Sequence, residues 1–540
     1  MKPYLTLHDP GQAAAHYAAG CWGADTFYSL LAGHAAASPD ATALRDSQGR
    51  LSWAQLRARV DGMADALLDE GLTPGDRVSV WMSSRREAVI TFLACSREGL
   101  ACNPSLHRSY TCAEIVGLLD RLGSAVLVTE DGWGADRDKV DFDAALKDLP
   151  TLRRVFTPAT YPAASDTLPQ RTHDNPDTVA YLAFTSGTTG APKCVMHSAN
   201  TLLANARDLV RDWSIGPDSV MLTLSPLSHH IGWVAVAQWL LAGCQLVTED
   251  LPAGASRLDW IVETGATYVM GVPTHAMDIL DEQRARGLDR LGDVQIFYMA
   301  GSPIPASVAE AFVRQGITPQ NIYGMTENSS HQYTHPDDTP QTWVATCGRG
   351  GGAYRVRVFD KDDPDQEVEP GEIGQIGGKG AALMLGYMDN QRATENSFNR
   401  DGWFLSGDLG SLDAAGNLRI EGRLKDLIIR GGHNIHPSRI EALALRHDRI
   451  QKAAAFAVAD DRLGERVCLA IIGTLAAEDV LEHLASAGLS KFDMPEWFIA
   501  MDSFPLTASG KILKRDLQGM AADGRITPAK VRYTDRKERA

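Results

Sequence analysis

The chain has 540 residues, enough for three or four folding units, or fewer where a large α/β enzyme merges them. Its 44% apolar and 22% charged residues are an ordinary globular balance, which excludes a disordered, collagen-like or coiled-coil protein. The formal net charge of −16 argues against general nucleic-acid binding, which needs a basic footprint. Eight cysteines are scattered without a CxxC pair, so no zinc site or disulfide framework is read and a reducing, cytoplasmic compartment is expected. Met1-Lys2-Pro3-Tyr4 lacks the basic-then-apolar pattern of a signal peptide. The most apolar run, Trp233 to Cys244, is broken by Gln238 and too short for a membrane span.

The first ~25 residues are rich in Ala, Gly and His and are expected to wrap the surface. Over 51–72, Leu56, Val60, Met63, Ala64 and Leu67 recur at helical spacing, until Gly71 and Pro74-Gly75 stop the pattern. Strands are predicted at 77–82 and 125–129, with a helix over 86–97. Further strands follow at 220–224, 245–248, 267–270 and 295–298. Strands alternating with helices predict parallel sheets with helical crossovers. After about Thr342 short Gly-rich strands at 355–359, 373–376 and 418–420 predict a small β-rich subdomain. Residues 425–540 carry 18 Lys and Arg against 16 Asp and Glu, a net of +2, while the preceding 424 residues carry −18. That asymmetry fits a separate C-terminal domain closing over an anion, and fits equally two domains with different surfaces.

The most informative segment runs from Tyr181 to Lys193. An apolar strand enters a loop holding Thr185, Ser186, Gly187, Thr188, Thr189 and Gly190, and Lys193 follows. Glycines let several backbone N–H groups face one anion, hydroxyls add donors, and the lysine adds a point charge. This is a phosphate cradle, but not a Walker A loop, because Lys193 is followed by Cys194 rather than Ser or Thr. The segment resembles the Ser/Thr/Gly-rich signature of the adenylate-forming superfamily, which includes acyl-CoA synthetases, stand-alone adenylation enzymes and luciferase-type enzymes. Four further segments match that family in its order: Tyr323-Gly324-Met325-Thr326-Glu327, Ser406-Gly407-Asp408, Gly422-Arg423-Leu424-Lys425-Asp426 continuing to Gly431-Gly432, and Pro505 to Lys514. Within the family the chain is similar to medium-chain fatty acyl-CoA and cyclohexanecarboxylate–CoA ligases.

The resemblance implies an α/β fold. Its large N-terminal domain, 1–424, would have parallel sheets, helical layers and the small β-rich subdomain. A smaller mobile α+β domain, 425–540, would carry the catalytic lysine. It implies an ATP-dependent ligase in which a carboxylate attacks the α-phosphorus, giving an acyl-adenylate and pyrophosphate. Coenzyme A then displaces AMP. Both halves gather negative charge, so the protein must position and neutralise. The loop 185–193 would hold the β- and γ-phosphates. Thr326 matches the threonine contacting the α-phosphate, and Glu327 the Mg²⁺ ligand. Tyr323 would lie against adenine, edged by Gly301, Ser302 and Pro303, with Gly324 and Met325 in the same site. Asp408 would accept both ribose hydroxyls, as only a carboxylate does strongly, and Arg423 would contact the ribose region. Lys425 falls at the hinge, Gly431 and Gly432 on the CoA side. Lys511 would bridge the substrate carboxylate and α-phosphate. In related ligases such a lysine is reversibly acylated, which makes an acetyltransferase and a deacylase candidate partners.

Cys194 and Arg439 depart from the common pattern. The first adds a thiol that could be oxidised, and the second weakens the expected C-terminal contacts. For the acid, His229 matches the residue gating the carboxylate end. His230, Ile231, Trp233, Val272, Met299 and Ala300 are candidate walls, and some of them could be plain core. No Asp or Glu stands between Leu222 and Gln245 to pair an ammonium, which argues against amino acids. Asn is usual where His230 stands in aryl-acid enzymes, which argues against 2-hydroxybenzoate. An alicyclic or short-to-medium aliphatic acid is expected, with aromatic acids next. A carrier-protein pantetheine arm remains open as acceptor in place of free CoA. A silent binding module is disfavoured by Lys511, Glu327 and Asp408 together, and a luciferase-type oxidase has no separate support.

Overall fold

The computed structural model describes residues 4–165, 167–169, 171–185, 192–506 and 512–533. The chain condenses into two compact units. One comprises Met1–Arg355 and Lys379–Phe398, the other Val356–Gly378 and Asn399–Ala540.

The first unit is built on two sheets. The six-stranded sheet runs in the order Arg154–Phe156, Val126–Thr129, Arg77–Trp81, Ala101–Asn103, Val179–Thr185, Lys193–Ser198. All its pairings are parallel except the last, where Thr185 stands opposite Lys193 in a hairpin. The eight-stranded sheet runs Ser329–Tyr333, Thr318–Met325, Ile296–Ala300, Tyr268–Gly271, Val220–Thr223, Gln245–Thr248, Thr42–Asp46, Gly49–Ser52. Its middle is parallel and both outer pairs are antiparallel. Strands such as Arg77–Trp81 are buried throughout, as parallel strands covered on both faces must be.

The periodic segment at 51–72 becomes the helix Trp53–Asp69, and Leu56, Val60, Met63, Ala64 and Leu67 are all buried. Leu51 instead belongs to the preceding strand. Ser52 caps the helix by accepting from Gln55 N, and Gln55 returns a bond to Ser52 N. The opening segment, read only as surface wrapping, holds a helix, Pro10–Ala18. Asp9 caps it and Pro10 occupies its first turn.

In the second unit, an antiparallel sheet holds Phe404–Leu412 between Gly374–Gly380 and Leu418–Arg423, with Tyr354–Phe359 at its edge. This is the expected β-rich piece. A second sheet orders His433–Ile435, Ile428–Arg430, Gly464–Gly473, Trp497–Ala500 and Ala529–Lys530, and the long strand Ile450–Asp460 pairs with Gly464–Gly473. Helices Pro437–Ala444 and Ala477–Ser486 pack on it through Ile440, Leu443, Val480, Leu481 and Leu484. Among the described residues no helix is long and apolar enough to cross a membrane.

Candidate active site

In open α/β sheets, ligands bind beyond the carboxyl ends of the strands. Four adjacent parallel strands of the eight-stranded sheet therefore deliver their following residues to one edge. They bring Leu224–His229, Val272–His275, Gly301–Pro303 and Thr326–Glu327 there.

The Thr326–Glu327 corner is held from several sides. Asn328 Oδ1 accepts from Met325 N at 3.1 Å, and Ser329 takes a positive φ of 57° to turn the chain into its return strand. Gly324 has no room for a side chain, since a Cβ there would stand 1.7 Å from the Ser329 carbonyl oxygen. Tyr323, the expected adenine partner, is nearly buried, its ring centroid 5.5 Å from that of His331 in an edge contact. Gly301, with φ of 93°, and Ser302 and Pro303 are exposed.

The segment 384–388 runs beside Lys193–Ser198, through Leu385 N to Met196 O, Met196 N to Gly386 O and Met388 N to Cys194 O. It brings Tyr387 to the corner, where its hydroxyl donates to Glu327 Oε1 at 2.8 Å. The Lys193 ammonium lies 4.4 Å from the Tyr387 ring centroid. Lys193 and Glu327 thus flank one tyrosine, a neighbourhood the sequence did not disclose. Thr185 Oγ1 contacts Lys193 O at 3.4 Å. Ser186, Gly187, Thr188, Thr189 and Gly190 lie outside the described residues. Cys194 is buried and burial pushes its thiol up to about 12, so the oxidation expected of it has little thiolate to work on.

His229 is the N-cap of the helix His230–Ala242, and its ring stacks on His107 with centroids 4.3 Å apart. His107, which the sequence reading passed over, is fixed by Ser228 Oγ at 3.1 Å. His230 bonds Ser329 Oγ through Nε2 at 3.0 Å and Tyr181 Oη through Nδ1 at 3.3 Å. Trp233 and Met299 are packed in the hydrophobic cores, Trp233 donating to Leu227 O at 2.5 Å. Ala300 is nearly buried, while Ile231 and Val272 remain partly accessible.

Burial, above all, lowers His107 to about 3 and His197 and His275 to about 4 from an ordinary 6.5. Each is neutral in the fold and takes up a proton on unfolding below about pH 6.5. Their contribution to stability is whole above that pH and is lost as pH falls toward 4. The thermal midpoint should therefore fall between pH 7 and 5, with protons taken up on unfolding. A flat midpoint and no uptake would mean that these rings charge inside the fold.

In the second unit, Gly407, at φ of 75°, turns Asp408 inward on its strand. Asp408 N donates to Ser406 Oγ at 3.1 Å, and the Asp408 carboxylate lies 3.3 Å from Arg423 Nε on the neighbouring strand. Lys425 follows in a short 3₁₀ turn. Burial, then Arg423, lowers its pKa, and Arg515 adds to the effect. Gly431 and Gly432 form a turn with φ of 58° and 87°. Arg439 is exposed, while Glu441 accepts from Ala455 N at 2.7 Å and pairs with Lys514 at 2.6 Å. The Arg439 departure therefore costs this helix no contact that Glu441 makes. Lys511 lies outside the described residues. Its flanks do not: Leu506 and Ile512 pair antiparallel, and Leu513 N donates to Pro505 O at 2.8 Å.

A Mg²⁺ ion seeks hard oxygen ligands and keeps several waters or phosphate oxygens. Glu327 offers one carboxylate held in place by Tyr387, and no group of three or more His, Cys, Asp or Glu among the described residues could hold a metal by itself. That donor set fits a cation arriving with a triphosphate. If Tyr387 sets the carboxylate, Tyr387→Phe should raise the Mg²⁺ requirement of ATP–pyrophosphate exchange about three- to tenfold, the loss of one net hydrogen bond. An unchanged requirement in folded protein would sink that role.

An edge of parallel strands ending in a Thr-Glu corner, beside the paired strands Val179–Thr185 and Lys193–Ser198, fits the frame expected of an adenylate-forming ligase. The chain belongs to the AMP-binding enzyme family: that family's model matches residues 31–388, and the model of its C-terminal domain matches 439–511. It is similar to the medium-chain fatty-acid–CoA ligase of Escherichia coli K12, 29% identical over 95% of this chain and 93% of that one. It is also similar to a Streptomyces salicylyl-CoA synthase / salicylate adenylyltransferase, 31% identical over 94% and 96%. Among solved structures, ATP-bound MatB from Rhodopseudomonas palustris matches with a TM-score of 0.82 and 28% identity over 93% of this chain and all of that one. The protein is an AMP-forming acid–thiol ligase, an acyl-CoA ligase working through ATP-dependent adenylation.

Proposed function

We propose that the acid is a compact hydrocarbon carboxylate, alicyclic such as cyclohexanecarboxylate or short-to-medium aliphatic, and that free CoA is the acceptor. The observation that carries the site assignment is the Thr326–Glu327 corner, fixed at the carboxyl edge of the sheet with Tyr387 and Lys193 beside it. Thr326 holds the α-phosphate while Glu327 presents its carboxylate to Mg²⁺, which would neutralise phosphate charge when bound. Lys193 faces the outer phosphates with the hydroxyls of 185–189. Asp408 and Arg423 take the ribose.

The acid's carboxylate enters past His229 and attacks the α-phosphorus, and pyrophosphate leaves. Lys511 supplies the positive charge that this transition state lacks. Turning at Lys425, with the boundary at 424/425, the C-terminal domain then withdraws Lys511 and brings Gly431 and Gly432 to the thiol. The thiol attacks the acyl carbon and AMP leaves. Ile231 and Val272, partly accessible and apolar, favour hydrocarbon, whose burial contributes about 25 cal/mol per Å². The name of the Escherichia coli relative supports a medium-chain acid, and that of the Streptomyces relative keeps aromatic acids second.

The test is ATP–pyrophosphate exchange over a panel of acids, followed by CoA addition with the best. Cyclohexanecarboxylate, hexanoate and octanoate should exceed benzoate and salicylate. A best response from an amino acid would overturn the acid assignment. Adenylation without thioester formation would move the acceptor to a carrier-protein arm.

A further inference from the structure

His197 is fully buried on the strand Lys193–Ser198 and stands 129 residues before Thr326 in the chain. Its Nε2 lies 2.7 Å from the Thr326 carbonyl oxygen, which can only accept, so this nitrogen carries the hydrogen. Its Nδ1 is left to accept from the Thr201 hydroxyl at 3.0 Å. The His197 ring stacks on that of His230, centroids 5.6 Å apart. His230 in turn bonds Ser329 Oγ, at the far side of the same corner. Two stacked imidazoles thus hold both ends of the four residues 326–329, the first by a carbonyl and the second by a hydroxyl.

The return strand is already tied down by Asn205, which exchanges two 3.0 Å bonds with the backbone of Ser330. We propose that His197 and His230 are positioning residues that clamp the Thr326–Glu327 corner, fixing the angle at which the Thr326 hydroxyl and Glu327 carboxylate meet the triphosphate. Removing the His197 donor leaves the Thr326 carbonyl without its buried imidazole partner, so the peptide between Thr326 and Glu327 can tilt and both side chains lose their aim together. The inference rests on the assignment of Thr326 to the α-phosphate.

The test compares His197→Gln, whose amide reaches the Nε2 position, with His197→Asn, whose amide reaches Thr201 but falls short of Thr326. Thr326→Ala and Ser329→Ala accompany them, with thermal melts for each. His197→Asn should lower kcat/KM for ATP in pyrophosphate exchange about tenfold or more, the effect of one buried acceptor left unpaired, while KM for the acid stays within about twofold. His197→Gln should recover most of the loss. Ser329→Ala should show the same split between ATP and acid on a smaller scale, and it decides the question if His197→Asn fails to fold. Equal kinetics for Gln and Asn, acid and ATP KM values rising together, or a silent Ser329→Ala would overturn the clamp. A silent Thr326→Ala would overturn the underlying assignment instead.

Discussion

Replacing Lys511 by alanine should cost ATP–pyrophosphate exchange about 10²–10³-fold, the scale seen when one preorganised donor is removed from a developing charge. The acid carboxylate and the α-phosphate are both anionic, and without an ammonium between them they repel as they close. Thioester formation from a supplied acyl-adenylate and CoA should be spared, because in the proposed alternation the lysine would have withdrawn before that half displaces AMP. Folding should be unaffected: the ends of the loop are tied by the Leu506–Ile512 pairing and the Leu513–Pro505 bond, neither of which needs the side chain. Separate assays of the two half-reactions decide the matter. Equal losses in both would refute the alternation of the C-terminal domain.

If Asp408 takes the ribose as proposed, Asp408→Ala should raise the ATP requirement roughly 100-fold or more, since two charge-assisted hydrogen bonds to ribose hydroxyls, each about 1.5–3 kcal/mol, would be removed at once. The order of preference among acids should not change. Asp408 is also paired with Arg423, so the variant frees a half-exposed guanidinium and a modest fall in melting midpoint should accompany the kinetic loss. Asp408→Asn keeps the volume and the neutral half of the hydrogen bonding, and should fall between the two. A switched acid preference with ordinary ATP dependence would place this carboxylate in the acyl pocket.

Features carried by one contiguous segment and contacts between distant segments differ in how far a sequence reveals them. Helix Trp53–Asp69 was legible because five apolar residues at three- and four-residue spacing can bury only on one helical face. The strand at Arg77–Trp81 was legible from its β-branched run. The helix Pro10–Ala18 has a start signal, Asp9-Pro10, that its alanine-rich composition obscures. Tyr323 to Glu327 and Ser406 to Asp408 could be picked out as candidates because each lies within a contiguous motif. His197, Tyr387 and His107 could not. Each acts through a residue far along the chain, His197 through Thr326, Tyr387 through Glu327 and His107 through Ser228 and His229. Only pairing of strands and segments brings those partners together. The order of strands in the sheets was hidden for the same reason, since periodicity reports a face and not a neighbour.

The crowding at Gly324 has a practical meaning for anyone reshaping this ligase. A methyl group there would overlap the Ser329 carbonyl, so the corner admits no alternative residue and a saturation library at that position would return only glycine. The start of the helix His230–Ala242 is pinned similarly at Gly232, where a Cβ would come within 2.9 Å of the Pro226 carbonyl oxygen, while Ile231 beside it is partly accessible and packs on its other side against the main core. If Ile231 and Val272 wall the acid as proposed, variation aimed at new acids is best spent on them, with 324 and 232 left untouched. If the proposed roles hold, the corner that meets the nucleotide is rigid at Gly324 and the acid side can be varied at partly accessible positions without touching it.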